Sequence, residues 1–195
     1  MLSGGLMPYR WQREGLIHGP EIGFARELQK HMPDDYVFIK ATGNIHPDLP
    51  DFLWAIDGSY MATALSFYWT LCTEAPMAIL TDQGLDEAIS EKRWRNYGTN
   101  LFNIIGALRD YFQNPRLPFL IGQSPNSSYA APERMAFIRK CQRQASIELP
   151  RVGLAKVDDL TPYVNGHHLT SAAQLEFGRR FAEALISLSA DATIT

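Results

Sequence analysis

The sequence predicts an α/β protein in which a central parallel sheet is covered by helices on both faces, a three-layer α/β/α architecture. Short apolar runs alternate with longer segments in which apolar residues recur every three or four positions, which is the pattern of parallel strands joined by crossover helices. The chain has 195 residues, of which 46% are hydrophobic and 20% are charged. This composition is typical of a globular domain with a full core, so we expect residues 1–195 to form a single domain.

Four short apolar runs are the predicted strands, and each is followed by a polar or glycine-containing loop. They are residues 36–42, 75–81, 117–122 and 151–157. In open parallel sheets, binding and catalytic residues gather at the carboxyl ends of the strands. The loops that begin at Gly43, Asp82, Gln123 and Asp158 are therefore the predicted site region.

Helical spacing of apolar residues predicts the segments between these strands. The first helix follows Pro20, which suits a first-turn position, and the last follows Thr170 or Ser171, either of which can cap it. The predicted helices are residues 20–32, 58–72, one long helix that follows Gly84 and includes Trp94 to Phe112, residues 132–148, and a final helix through Leu188.

Charge and composition exclude several classes of partner. The net charge is −3 and the basic residues are dispersed, so no nucleic acid and no anionic membrane surface is expected as a partner. No apolar run approaches the roughly 18 residues of a membrane span. The first residues lack the regions of a signal peptide, which predicts a cytoplasmic protein if Met1 is the natural start. Oligomeric state is left open.

Metal and cofactor chemistry is not expected. Cys72 and Cys141 are far apart and have no metal-ligand spacing, so we expect two small buried apolar residues and no disulfide. The histidines do not cluster with cysteines or carboxylates, so no metal site and no organic cofactor is predicted.

The segment Tyr-Val-Asn-Gly-His-His-Leu-Thr-Ser-Ala-Ala, residues 163–173, contains the main catalytic candidates. His168 precedes a helix, and Asn165 is close enough in sequence for its side chain to reach the imidazole. In a Ser-His-Asp triad, the acid in that place fixes the histidine tautomer and stabilises the imidazolium, and Asn can perform only the first role. A second interpretation stays open, in which Asn165-Gly166 is a simple turn and both histidines are solvated.

The string from Asn165 to Ala182 resembles the closing motif of the SGNH hydrolases, in the branch that contains sialate O-acetylesterases and acetylxylan esterases. That branch has Asp-Gly-x-His before a helix with Gly-Arg-Arg-Phe-Ala. Three further segments agree in order and spacing, and the resemblance covers about residues 19–186. They are Gly-Pro-Glu-Ile-Gly-Phe-Ala-Arg-Glu-Leu at residues 19–28, Ile39-Lys40 leading to Gly43, and Gln83-Gly84.

The resemblance implies a flavodoxin-like SGNH-hydrolase fold and a carbohydrate O-acetylesterase. Such an enzyme removes acetyl esters from sugars through an acyl-enzyme, so its partner is an acetylated carbohydrate and it needs no cofactor. By the same resemblance His168 is the general base, and Asn165 stands where the family usually has Asp. Gly43 would offer a backbone N–H to the oxyanion, and Gln83 would lie beside the oxyanion hole or the substrate.

Three departures from the family pattern favour an alternative, a non-catalytic carbohydrate-binding remnant of the same fold, and the first is the absence of the family's nucleophilic serine motif from this sequence. Leu85 stands where the family has Glu, and Asn165 removes a charge that is worth about 10⁴ in turnover in a Ser-His-Asp triad. Asp158 or Asp159 would have to supply that charge instead. A nucleotide-binding protein is a weaker alternative, because the chain has no G-x-G-x-x-G loop between a strand and a helix.

The family places its nucleophilic serine in a Gly-Gln-Ser-Asn or Gly-Asp-Ser motif at the end of the first strand, before the segment that matches residues 19–28. We find no such motif there, so we expect the first strand and its serine to lie upstream of Met1; the alternatives are a sheet that closes in a new order and a strand supplied by another chain. In the strand order 2-1-3-4-5, that strand would lie between residues 36–42 and 75–81. Gly122-Gln123-Ser124 has similar letters but follows a later strand, and we interpret it as a polar loop.

Overall fold

The computed structural model describes residues 19–32, 59–160 and 169–190. Helices and strands alternate along these ranges, which confirms the α/β class. The elements are α1 (Glu21–Leu28), α2 (Ser59–Leu71), β1 (Ile79–Thr81), α3 (Leu85–Ile89), α4 (Tyr97–Tyr111), β2 (Phe119–Gly122), α5 (Pro132–Glu148), β3 (Val152–Ala155) and α6 (Ser171–Ala190). A short 3-10 turn, Trp94–Asn96, precedes α4.

The described strands form one parallel sheet in the order β1-β2-β3. Thr81 is paired with Ile121, and Ile121 is paired with Leu154, so the three strands are in close register. This is the order expected for the last three strands of a flavodoxin-like sheet. The predicted strand at residues 36–42 lies outside the described residues.

Strand β2 is buried on both faces and separates two apolar clusters. Phe119 and Ile121 belong to a cluster with α4 and α5, and Leu120 belongs to a second cluster with α1 and α6. We call these the α4–α5 cluster and the α1–α6 cluster. A strand covered on both faces is a continuous apolar run in the sequence, which is why it was predicted correctly. None of the described helices is long and apolar enough to cross a membrane.

Helices α1 and α6 approach each other so closely that their contact requires glycine. A Cβ atom on Gly23 would lie 2.0 Å from the carbonyl oxygen of Leu175, and one on Gly178 would lie 1.9 Å from the carbonyl oxygen of Pro20. Both distances are far shorter than any non-bonded carbon–oxygen contact. The two backbones are therefore in direct contact at this crossing.

Helix α6 begins with the predicted cap. The Ala173 N–H donates to Thr170 Oγ1 at 3.2 Å, which satisfies one of the free N–H groups of the first turn. Leu169, the residue that follows His168, is only 2% exposed and packs in the α1–α6 cluster. The polypeptide is thus fixed immediately after His168.

Several predicted elements are shorter in the structure: the first helix ends at Leu28, β2 begins at Phe119, and β3 ends at Ala155. The long helix predicted after Gly84 is broken at Ser90, whose backbone is extended and whose Oγ accepts a hydrogen bond from the Arg93 N–H at 3.3 Å. The strand predicted at residues 75–81 pairs only from Ile79 onwards, because Pro118 precedes the first paired residue of β2 and has no N–H to donate.

Candidate active site

Three loops lie at the carboxyl edge of the sheet. Asp82-Gln83-Gly84 follows β1, Gln123-Ser124 follows β2, and Asp158-Asp159 follows β3 closely. Since the strands are parallel, these loops share one edge, where ligands bind in open α/β sheets.

Of the four predicted site residues, Gln83 is the one that the structure describes. His168, Asn165 and Gly43 lie outside the described residues. Gln83 lies at the predicted edge and is half-buried. Its side-chain amide has no hydrogen-bond partner in the described part of the chain.

The backbone of Gln83 is held by three hydrogen bonds. Its N–H donates to Thr81 Oγ1 at 3.3 Å. Its carbonyl oxygen accepts from the Tyr97 hydroxyl at 2.8 Å and from Gln142 Nε2 at 3.0 Å. The Gln83 carbonyl is therefore held from helices α4 and α5 and its N–H from β1, while the side-chain amide makes none of these contacts.

Gly84 is needed for this loop on two counts. Its φ of 140° is a conformation that residues with a Cβ rarely adopt. A Cβ there would also lie 2.4 Å from Ser124 Oγ and 2.7 Å from Ile138 Cγ2. The absence of a side chain lets the loop after β1 press directly on the loop after β2.

Ser124 is buried beneath this contact, with 0% exposure. Its N–H donates to Gln142 Oε1 at 2.9 Å, and its Oγ accepts from Gln142 Nε2 at 2.9 Å. Arg139 Nε donates to the Ser124 carbonyl oxygen at 2.8 Å. These contacts give Ser124 a structural role, although the residues around it resemble the Gly-Gln-Ser-Asn motif of the family's nucleophile.

Gln142, the centre of these contacts, was not predicted from the sequence. It is 0% exposed on α5, among the buried residues of that helix. The available signal was a polar residue one turn after Ile138 on an apolar helix face. Buried side-chain amides are expected to be hydrogen-bonded, so such a residue indicates polar partners in the fold.

Gln123 connects the end of β2 to the loop after β3. It is 2% exposed, and its N–H donates to the Ala155 carbonyl at 2.8 Å. Its Oε1 accepts from the Val157 N–H at 3.1 Å, and its Nε2 donates to Asp158 Oδ1 at 3.3 Å. The chain that leads towards residues 161–168 is thereby fixed at its start.

Asp158 and Asp159 bind arginines on opposite faces of the sheet. Arg139 of α5 donates to Asp158 Oδ1 at 2.8 Å. Arg180 of α6 donates to both oxygens of Asp159 at 2.6 Å, and these bonds lower the pKa of Asp159 to about 2. Asp159, one of the two candidates for the acid that would support His168, therefore forms an ion pair with Arg180 in this structure.

Two carboxyl groups near Gln83 have pKa values above the ordinary range. Burial raises the pKa of Glu87, although nearby peptide N–H groups partly oppose this, and its Oε2 has no partner among the described residues. Desolvation also raises the pKa of Asp82, less strongly than at a buried site because Asp82 is exposed to solvent. Desolvation thus acts on the two carboxyl groups themselves, Asp82 and Glu87, which flank the Gln83-Gly84 turn.

Within the described ranges, no group of three or more His, Cys, Asp or Glu side chains is arranged to hold a metal ion. Both cysteines are free, with Cys141 buried and Cys72 half-buried.

Structural comparison shows where this fold occurs elsewhere. A protein from Arabidopsis thaliana shares 22% identity with a TM-score of 0.69, and the match covers 87% of this chain and 68% of that one. A carbohydrate acetylesterase from Xanthomonas citri shares 18% identity with a TM-score of 0.70, covering 88% of this chain and 41% of that one. The catalytic domain of a Streptococcus pneumoniae peptidoglycan O-acetyltransferase shares 13% identity with a TM-score of 0.53, covering 87% and 89%.

These identities are low enough that the structures establish the fold alone, and the chain spans only part of the Xanthomonas enzyme. Comparison with curated protein sequences gave no match. The sequence profile of one family, carbohydrate esterase, sialic acid-specific acetylesterase, matches residues 13–187. Because that match covers most of the chain and agrees with the motifs around Gly19 and Gly178, the chain belongs to this carbohydrate esterase family and forms a carbohydrate acetylesterase-type domain.

Proposed function

We propose that this domain removes acetyl esters from sugars as a serine hydrolase, with His168 as general base and then general acid. The observation that carries the proposal is the loop after β1, which holds the Gln83 backbone by hydrogen bonds and leaves its side-chain amide without a partner among the described residues. An amide in this state at the carboxyl edge suits an oxyanion or a substrate oxygen.

The reaction has two stages. A serine hydroxyl, which the family resemblance places at the end of a strand before Gly19, attacks the acetyl carbonyl while His168 takes its proton. The Gly43 N–H and the Gln83 amide stabilise the oxyanion of the tetrahedral intermediate. His168 then protonates the departing sugar oxygen, and water activated by His168 releases acetate from the acyl-enzyme.

The second candidate is a carbohydrate-binding domain without catalysis. Leu85 packs against the α4–α5 cluster, so the position where the family has Glu presents an apolar side chain to the core. Together with Asn165, this favours binding without hydrolysis.

Hydrolysis of 4-nitrophenyl acetate and of acetylated sugars by the full-length protein tests the proposal. We expect His168→Ala to lower kcat by a factor on the order of 10⁴, and Gln83→Ala to lower it by about 10²–10³. Ser124→Ala is the matched serine control, and the folded variant should keep most of its activity, because Gln142 still bonds to the Gln83 carbonyl and to the Ser124 N–H without this hydroxyl.

Equal rates for the wild type and His168→Ala would rule out His168 as the base. Binding of the acetylated sugar, measured by calorimetry, without any turnover would instead support the second candidate.

A further inference from the structure

We propose that Gln142 is a positioning residue for this reaction, which holds the loop after β1 so that the Gln83 amide faces the reacting ester. The inference rests on the proposed function and adds to it a residue that does not touch the substrate.

Gln142 contacts both loops that flank the candidate site. Its Nε2 lies 3.0 Å from the Gln83 carbonyl oxygen, 3.2 Å from the Gly122 carbonyl oxygen and 2.9 Å from Ser124 Oγ. Its Oε1 accepts from the Ser124 N–H at 2.9 Å. One side chain thus connects the carboxyl ends of β1 and β2.

Tyr97 completes the network from α4. Its hydroxyl donates to the Gln83 carbonyl oxygen at 2.8 Å and lies 3.1 Å from Gln142 Nε2. Burial raises the pKa of Tyr97, so the phenol remains a neutral donor over the working pH range. The Gln83 carbonyl oxygen therefore has two donors, both from buried side chains on helices.

The network has little freedom to rearrange. Gln142 is 0% exposed and Tyr97 is 5% exposed, so water does not replace a lost donor without a change in packing. The two hydrogens of Gln142 Nε2 are shared among four nearby acceptors, and the contact of Gly84 with Ser124 prevents the loop from moving inwards. If the network is lost, the loop shifts outwards and carries the Gln83 side chain with it.

A double-mutant cycle with Gln83→Ala separates positioning from a general structural role. A displacement of about 1 Å at a catalytic group can lower the rate by about 10²-fold. We therefore expect Gln142→Leu to lower kcat on 4-nitrophenyl acetate by about 10–100-fold with little change in KM. In the Gln83→Ala background, the same substitution should cause no further loss.

Gln144→Leu is the matched control, since Gln144 lies on the exposed side of the same helix and bonds only to Glu148 among the described residues. Tyr97→Phe is a milder variant for the case in which Gln142→Leu does not fold. Tyr97→Phe removes one of the two donors to the Gln83 carbonyl oxygen, so we expect a smaller decrease of kcat than in Gln142→Leu. In the Gln83→Ala background, Tyr97→Phe should cause no further decrease.

Backbone hydrogen exchange provides a readout that does not depend on activity. We expect protection of the amides of residues 83–88 to fall about tenfold in Gln142→Leu and to stay unchanged in Gln144→Leu. The positioning role would be overturned if Gln142→Leu lowered kcat equally in the wild type and in the Gln83→Ala background. Unchanged hydrogen exchange at residues 83–88 in Gln142→Leu would overturn it as well. A wild type without esterase activity would refute the proposed function, and hydrogen exchange would then decide on its own whether Gln142 holds the loop.

Discussion

Gln142 and Glu87 lie close to the same loop but differ in how their polar atoms are satisfied. Both polar atoms of the Gln142 side chain have partners, whereas Glu87 Oε2 is buried without a partner among the described residues. A neutral amide can be buried at low cost when it is fully hydrogen-bonded, but a carboxylate in the same setting is destabilised. Burial therefore favours the protonated form of Glu87 more in the fold than in the unfolded chain.

The raised pKa of Glu87 has a consequence for stability. The folded state keeps the proton at pH values where the unfolded chain, with an ordinary pKa near 4.5, has already lost it. The free energy of unfolding therefore decreases as the pH rises from the unfolded pKa through the folded one.

We expect Glu87→Gln to be more stable than the wild type at pH 8 and similar to it near pH 4, in urea unfolding followed by circular dichroism. Glu74→Gln, at an exposed carboxylate, is the control and should show no such pH-dependent difference. A constant difference between Glu87→Gln and the wild type at all pH values would contradict the assignment.

At the scale of single elements, the crossing of α1 and α6 depends on the absence of two side chains. Gly23 and Gly178 place the backbone of one helix against that of the other. In the sequence, Gly178 belongs to the Gly-Arg-Arg-Phe-Ala motif, and its neighbour Arg180 binds Asp159. The motif therefore contributes both to the helix contact and to the base of the loop that leads to His168.

Gly178→Ala should separate the two helices and lower the free energy of unfolding by about 2–3 kcal/mol, as overpacked cores do. Gly106→Ala is the matched control, because nothing lies within 4 Å of a Cβ at this position in α4. That variant should gain about 0.5–1 kcal/mol from better helix propensity. Thermal or chemical unfolding measures both values, and a neutral Gly178→Ala would show that the helices can separate without cost.

The sequence predicted most of these elements because their signals are local. The apolar runs of β2 and β3 and the helical spacing of α5 are readable within a few residues. The break at Ser90 was missed although its signal is also local, a serine whose hydroxyl accepts a hydrogen bond from the Arg93 N–H three residues later. The contacts of Gln142 could not be predicted, because Gln83 is 59 positions away and is brought near only by the sheet.

For the whole molecule, β2 is the shared structural element of both apolar clusters. Ile121 is 0% exposed in the α4–α5 cluster, and Leu120 is 0% exposed in the α1–α6 cluster. Neighbouring residues of one strand thus support opposite layers of the fold. Damage to either cluster should reach the other through this strand.

We therefore expect Leu120→Ala and Ile121→Ala each to lower the free energy of unfolding by about 2–5 kcal/mol. In both variants, tryptophan fluorescence and circular dichroism should report a single transition with the same midpoint. Ile147→Ala, at a residue that is 82% exposed, is the control and should change stability by less than about 0.5 kcal/mol. Separate midpoints for the two probes would mean that the layers unfold independently.

Just before residues 161–168, the chain after β3 is held by contacts that depend differently on ionic strength. Two of them are ion pairs of Asp158 and Asp159, and one is a neutral hydrogen bond. Asp158 and Asp159 are held by arginines across solvent-exposed contacts, with 58% and 70% of their side chains accessible, whereas Gln123 holds Val157 through a buried neutral hydrogen bond. At 1 M salt the Debye length is about 3 Å, so dissolved ions screen the exposed Asp–Arg ion pairs. The buried hydrogen bond between Gln123 and Val157 is almost unaffected. Concentrated electrolyte should thus loosen this corner of the domain from its outer side while the strand beneath it stays in place.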